Sequence, residues 1–394
     1  MIHNPPHNPF VEQVAGDYFV GREWQVQEFK SSLAGLEAGQ PRHLYIAGLH
    51  GTGKTSYLQK LIDTSSTGSV LGVLATLDQA TAYDQASTLV KSVAAEIDHK
   101  ASTRLIEDWE SPEGSTHFYL PRRDRLLSDD LRHDLKTLKE IAASSGLSKT
   151  VICIDEGHRI EGSALSALKN AMQHLNDYLV ILSLLLIHEK GGAVEDGRAM
   201  LDRKAGEAQG DYGASRFFAK GIPLGPFETQ TEAERCIRRR LQGNPIGFTD
   251  TVIALIASVS GRVPHEIIAI GSDVYDRTSR EGHQRATKEI FLASFKNRFS
   301  HDYGKALEIR SQLSETARRA ILTLLEMGRS TEVDALAARM YPDIPKDAQR
   351  TVAAGIKGEL DRMCNSAFCS EIDGRYEIDH PVRRYALEIA LELE

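Results

Sequence analysis

The sequence predicts an α/β protein: a parallel sheet between helices, then an all-helical stretch, then a small domain of three helices and a hairpin. Three observations carry this. Across residues 41–226, apolar strand candidates alternate with helical patterns, as in a parallel sheet with crossover helices. Residues 227–298 hold helical periodicity alone. Beyond residue 313, three helical segments precede two alternating runs that flank Asp373-Gly374, a strong hairpin signal.

Taken in order, residues 23–36 form an amphipathic helix. Strand candidates follow at 43–47, 69–75, 150–154, 179–187 and 222–224. The run 178–187 is the most apolar of the chain, far too short to span a bilayer, and reads as a buried parallel strand. Residues 101–135 break the rhythm with Arg122, Arg123, Asp124 and Arg125 and read as a solvated connection. Thr229 and Glu232 have capping-box spacing and start the helical stretch. Helices are expected at 313–327, 331–340 and 346–363, the hairpin strands at 367–372 and 375–380, and a terminal helix at 382–393.

A chain of 394 residues can build two or three domains with real cores. The expected boundaries are 1–228, 229–304 and 305–394. The net charge of −8 argues against a protein coated in nucleic-acid-binding charge, while leaving room for a local patch. Cys153, Cys236, Cys364 and Cys369 show no zinc-site spacing and read as reduced thiols. Residues 1–9 have neither a basic nor an apolar signal region, so a cytoplasmic protein without a membrane segment is expected.

The chemistry is concentrated in Gly48-Leu49-His50-Gly51-Thr52-Gly53-Lys54-Thr55, which reads G-x-x-x-x-G-K-T between a strand and a helix. Glycines let the backbone wrap closely around phosphates, and loop N–H groups and the helix N-terminus meet the anionic charge. The candidate nucleotide-binding set is Gly48, His50, Gly51, Thr52, Gly53, Lys54, Thr55 and Ser56. Lys54 is expected to reach the β- and γ-phosphates, and Thr55 to hold Mg²⁺. Residues 151–154 are apolar and end in Asp155-Glu156, beyond the carboxyl end of a parallel strand, where ligands sit. Asp155 is the second candidate metal ligand. Glu156 is the candidate general base for the attacking water. ATP or ADP with Mg²⁺ is the expected ligand set.

Tyr18-Phe19-Val20-Gly21-Arg22-Glu23, about 25 residues before this loop, resembles the adenine box of AAA+ ATPases of the origin-recognition type and of the related STAND signalling ATPases. The resemblance implies that Val20 and Gly21 pack on the base, with Arg22 nearby. It implies a helical lid over the nucleotide and a winged helix at the C-terminus. Arg216, before the last core strand, is similar to the family's trans-acting arginine finger; an ordinary helix C-terminal Arg is the other reading. Residues 260–268 resemble the opening of the sensor 2 helix, with Pro264 in its first turn. His265 stands where many relatives carry an Arg, so either Arg262 substitutes or that contact is missing. Ser183 and His188 are both candidates for sensor 1.

The resemblance implies a nucleotide-controlled switch that forms a homo-oligomer with ATP. Its partner is a protein carrying the effector or sensor, as in bacterial signalling or phage defence, or DNA held by the winged helix. From residue 305 onward there are 13 Lys and Arg against 16 Asp and Glu, hardly a basic footprint. Lys346, Arg350 and Lys357 are the candidate phosphate contacts there.

Overall fold

The computed structural model describes residues 7–11, 16–66, 68–78, 81–111, 118–120, 126–186, 196–209, 214–327, 330–365, 368–372, 375–378, 380 and 381–392. The chain divides into two compact units: residues 13–227, and residues 228–394 together with 1–12.

In the first unit, helix α1 (Glu23–Glu37) leads into strand β1 (His43–Gly48), α2 (Lys54–Ser65), β2 (Val70–Thr76) and α3 (Ala82–Ala101). Helices α4 (Leu105–Trp109) and α5 (Leu127–Ser144) precede β3 (Lys149–Asp155), α6 (Gly162–Met172) and β4 (Tyr178–Leu185). Helices α7 (Gly197–Gln209) and α8 (Ala214–Phe217) then lead to β5 (Phe218–Pro223). The five strands pair in parallel in the order β2-β3-β4-β1-β5. Strands β1, β3 and β4 are almost entirely buried, which their unbroken apolar runs anticipate.

The sheet carries a core on each face. Leu44, Ile46, Tyr57, Leu58, Leu61, Val151, Cys153 and Ile181 pack on the α1/α2 face. Ile152, Ile154, Val180, Leu182 and Leu184 pack with α3, α5 and α6 on the other. The connection at 101–135 is more buried than its charge suggests. Leu105, Trp109, Phe118, Leu120 and Leu131 join the second core. Asp134 of α5 accepts the backbone N–H groups of Tyr119 and Leu120. These apolar anchors are too widely spaced to show a period. Arg122, Arg123, Asp124 and Arg125 lie outside the described residues.

The second unit contains α9 (Gln230–Leu241), β6 (Gly247–Phe248), α10 (Asp250–Val259), α11 (Pro264–Arg280), β7 (Arg285–Ala286), α12 (Lys288–Arg298) and α13 (Ser300–Gln312). The stretch 227–298 is therefore not all-helical, because β6 and β7 pair in parallel. Two residues per strand leave no readable period. The capping box forms at α9: Glu232 N–H donates to Thr229 Oγ1 at 3.2 Å, and the Glu232 carboxylate accepts from Thr229 N–H at 3.3 Å. Pro264 occupies the first turn of α11.

Next come α14 (Glu315–Met327), β8 (Thr331–Glu332), α15 (Val333–Met340), α16 (Lys346–Asn365), β9 (Ser370–Ile372), β10 (Arg375–Glu377) and α17 (Pro381–Glu392). Strands β9 and β10 form the expected antiparallel pair, and the two-residue β8 adds to β10 from the other side. The turn residues Asp373 and Gly374 lie outside the described residues.

Candidate nucleotide-binding site

The loop after β1 is shaped by its glycines. Gly51 and Gly53 have φ of 76° and 86°, a region that costs a side-chain-bearing residue energy. Gly48 is required by close approach, since a Cβ there would lie 2.3 Å from the Leu224 carbonyl oxygen. Thr52 Oγ1 donates to Leu49 O at 2.9 Å and closes the loop on itself. Lys54 Nζ folds back onto Gly48 O at 3.1 Å and Leu49 O at 2.9 Å. Burial pushes the Lys54 pKa down, and the carboxylates of Asp155 and Glu156 oppose that shift.

Strand β3 delivers the acids. Asp155 is buried, and its Oδ2 accepts from Thr55 Oγ1 at 2.6 Å. The residues a hundred positions apart in sequence thus meet as a hydroxyl–carboxylate pair at the mouth of the loop. Asp155 Oδ1 also accepts the N–H of Glu156 at 3.0 Å. Glu156 has a left-handed backbone, φ 53°. Its Oε2 lies 3.5 Å from His158 Nδ1 and 3.7 Å from Arg159 Nε. Burial lowers the His158 pKa, opposed by Glu156 and reinforced by Arg159, Lys204 and Lys54. Gly157 holds the turn against β4, because a Cβ there would sit 2.3 Å from Leu182 Cδ1.

Among the described residues, four non-glycines have positive φ: Arg22, Ser102, Glu156 and Arg262. Three of these are residues that the sequence singles out as functional. Strained backbone gathers where surrounding structure must aim a side chain.

Gly21 and Arg22 are consecutive left-handed residues that aim the Arg22 side chain inward. The buried guanidinium donates to Thr52 O at 3.2 Å, Pro226 O at 3.2 Å and also Gly225 O, and its carbon lies 5.3 Å from the Phe227 ring centre. Arg22 therefore ties the phosphate loop to the segment after β5. Val20 and Gly21 are half-buried beside it.

Residues 18–187 match the family model described as AAA ATPase domain. That stretch is thus similar to AAA ATPase domains. No curated protein sequence matches the chain. Its fold is similar to that of the Aeropyrum pernix ORC2 protein in ADPNP–ADP complexes, at TM-score 0.52 and 12% identity over 98% of both chains. The A. pernix ORC1 protein in complex with DNA aligns at TM-score 0.48 and 16% identity over 97% of this chain and 95% of that one. The Thermotoga maritima RuvB Holliday junction branch migration motor aligns at 0.44 and 16% over 95% and 98%.

The first unit brings Gly48, Gly51, Thr52, Gly53, Lys54, Thr55, Asp155 and Glu156 together. His50 is an exposed residue at the loop's turn, and Ser56 follows Thr55 in α2. Arg216 is exposed in α8. Phe218 pairs with His43 at the start of β1, so Arg216 lies at the opposite end of the sheet from its own phosphate loop. Five steps along β1 put about 17 Å between those ends. Arg262, Pro264 and His265 belong to the second unit, where Arg262 Nη1 donates to Glu228 O at 2.5 Å. Ser183 is buried in β4, and its hydroxyl has no hydrogen-bond partner. His188 lies outside the described residues.

Sequence reasoning missed two groups. Gln85 of α3 is buried, donating to Arg159 O at 2.9 Å and accepting from Glu161 N–H at 2.8 Å, which fixes the turn after Glu156. A single Gln inside a helix gives no sequence signal. His158 and Arg159, which flank Glu156 in space, were legible as polar neighbours of the acidic pair but not as its contacts.

An oxygen-only pair of hydroxyl and carboxylate suits Mg²⁺, which takes one or two protein ligands and completes its shell with phosphates and water. Thr55 and Asp155, which meet at 2.6 Å, are the residues whose chemistry would hold it.

Proposed function

We propose that this chain is an ATP-binding and ATP-hydrolysing switch of the AAA+/STAND group, its nucleotide state controlling oligomerisation and partner binding. The observation that carries the reading is the 2.6 Å contact of Thr55 with Asp155, with Glu156 next along the chain. Backbone N–H groups of residues 51–55 bind the phosphates, and Lys54 exchanges its two carbonyl partners for phosphate oxygens. Bound Mg²⁺, held by Thr55 and Asp155, would neutralise phosphate charge. Glu156 accepts the proton of the attacking water, and His158 and Arg159 orient its carboxylate.

In this reading residues 229–304 are the lid, Arg262, Pro264 and His265 are its candidate nucleotide contacts, and Val20 and Gly21 pack on the adenine. Residues 305–394 are a winged-helix domain. Arg216 cannot serve its own site across the sheet, so it acts on a neighbour in an ATP-bound homo-oligomer. The partner is a protein that carries an effector or sensor, and the location is cytoplasmic. Among the described residues no helix is long and apolar enough to cross a membrane.

A second reading is an ATP-dependent DNA-loading ATPase. It is favoured by Lys346, Arg350 and Lys357, all exposed on α16. The experiment is ATP turnover per protomer at rising protein concentration, with and without duplex DNA. Turnover that climbs with concentration, and stays low in Arg216→Ala despite normal ATP affinity, supports the oligomeric switch. Turnover flat with concentration and untouched by Arg216→Ala sinks the trans role. Strong stimulation by DNA at physiological salt selects the second reading.

A further inference from the structure

Helix α9 buries Ala233, Cys236, Ile237 and Arg240 and leaves Arg235, Arg238 and Arg239 exposed. These three stand at i, i+3 and i+4, so they share one stripe. The stripe lines an open groove of about 500 Å³. Leu241, Gln242, Gly247, Phe248 and Ile253 complete the lining. In its floor the Phe248 ring stacks on Phe10 at 5.5 Å with the planes 1° apart. Beside it, Gly247 of β6 pairs with Arg285 of β7, which is exposed. Asp250 meets Arg238 at 2.8 Å from the groove's edge.

Like charges one turn apart repel each other on a helix. The helix dipole favours cations in the last turn, which covers Arg238 and Arg239 but not Arg235 near mid-helix. In a chain of net charge −8, this is a concentrated cationic feature. The groove is open to solvent, so its arginines can meet a ligand that is not enclosed on all sides.

We propose that the α9 groove binds the phosphodiester backbone of a nucleic acid strand, with Arg235, Arg238 and Arg239 on successive phosphates and the apolar floor against the sugars. Arginine is suited to this because its fork pairs with two phosphate oxygens at once. Contacts of this kind set position and affinity and carry no sequence information. The proposal rests on the nucleic-acid-directed reading above and moves its contact from α16 to α9. It favours nucleic acid over an acidic protein segment because a regular cationic stripe matches a regularly charged polymer.

The test uses the full chain and a short fluorescent DNA, single-stranded and duplex, titrated at several salt concentrations. Wild type binds one of them, and log affinity falls linearly with log salt. Arg235→Gln/Arg239→Gln lowers that slope by about two and weakens binding at least about tenfold at low salt. Its melting profile and ATP affinity stay at the wild-type values. Binding of DNA with unchanged affinity and slope in that variant overturns the groove and leaves the nucleic-acid reading standing. Loss in Lys346→Gln/Arg350→Gln/Lys357→Gln alone has the same meaning. No binding of either DNA by wild type overturns both. Polyglutamate binding that depends on Arg235 and Arg239, with DNA binding indifferent to them, overturns the proposal in favour of an acidic protein partner.

Discussion

Arg22 and the arginine stripe of α9 use the same side chain in opposite ways. In residues 13–227, Arg22 is buried, its guanidinium shared among the carbonyl oxygens of Thr52, Gly225 and Pro226. In residues 228–394, Arg235, Arg238 and Arg239 stand exposed on one stripe of α9. A buried charge must have its donors satisfied, so it fixes the backbone around it. An exposed charge keeps its water and contributes little to the fold even where it is paired, as Arg238 is with Asp250 at 2.8 Å. Arg22 accordingly holds geometry around the loop at 48–55, and the α9 stripe presents a surface. Changes around that loop should alter turnover or fold, and changes to the α9 stripe should alter neither.

The largest expected effect is on the chemistry itself. Glu156→Gln keeps the shape of the side chain but cannot take a proton. ATP turnover should fall by about 10²–10⁴-fold with ATP affinity preserved, as expected for loss of a positioned general base. Steady-state phosphate release and equilibrium binding of labelled ATP check this. Wild-type turnover in the variant would remove Glu156 from the base role and leave the buried Asp155 as the acid to examine.

This half of the candidate site was legible as a motif because phosphate chemistry demands rare residue types at fixed spacing. Gly51, Gly53, Lys54, Thr55 and the Asp155–Glu156 pair all stand where the motif puts them. The parallel sheet was legible for a related reason: β1, β3 and β4 are buried on both faces and so are apolar throughout. What stayed hidden depends on where long side chains end up. The resemblance set Arg22 near the base but said nothing of its guanidinium, which reaches 30 residues along the chain to Thr52 and over 200 to Pro226. No local pattern encodes such a reach. The pairs β6/β7 and β8/β10 were hidden because two residues cannot display alternation. The α9 arginines were visible as letters, but their shared groove required the placement of Phe248 and Ile253.

Arg22→Lys sharpens the comparison at intermediate size. The charge is kept, but one ammonium cannot replace a fork spread over three carbonyls. The variant should lose about 2 kcal/mol of stability, a typical cost when charged hydrogen bonds are removed and buried acceptors are left unmet. Because Thr52 is one of those acceptors, ATP affinity should fall as well. Denaturant midpoints and ATP binding measured together decide it. Reduced stability with unchanged ATP affinity would confine Arg22 to the fold and detach it from the phosphate loop.

The smallest effect concerns a buried group that must stay neutral. His43 opens β1, accepts the Val180 N–H at Nδ1 (3.0 Å) and stacks on Phe217 with ring centres 4.2 Å apart. Burial lowers its pKa from 6.5 to about 4. The unfolded chain therefore binds this proton more readily than the folded one, so the stability His43 allows is present above pH 6.5 and is lost as pH falls toward 4. At a pH about one unit below the unfolded value the loss is about 1 kcal/mol. His43→Asn keeps an acceptor for Val180 and cannot titrate, so urea midpoints of the variant should fall less steeply than wild type between pH 6.5 and 4. An α9 variant, Arg235→Gln/Arg239→Gln, should show the wild-type slope over the same window, since exposed arginine does not change charge there. Equal slopes in wild type and His43→Asn would assign the acid sensitivity to other buried groups and leave His43 as packing alone.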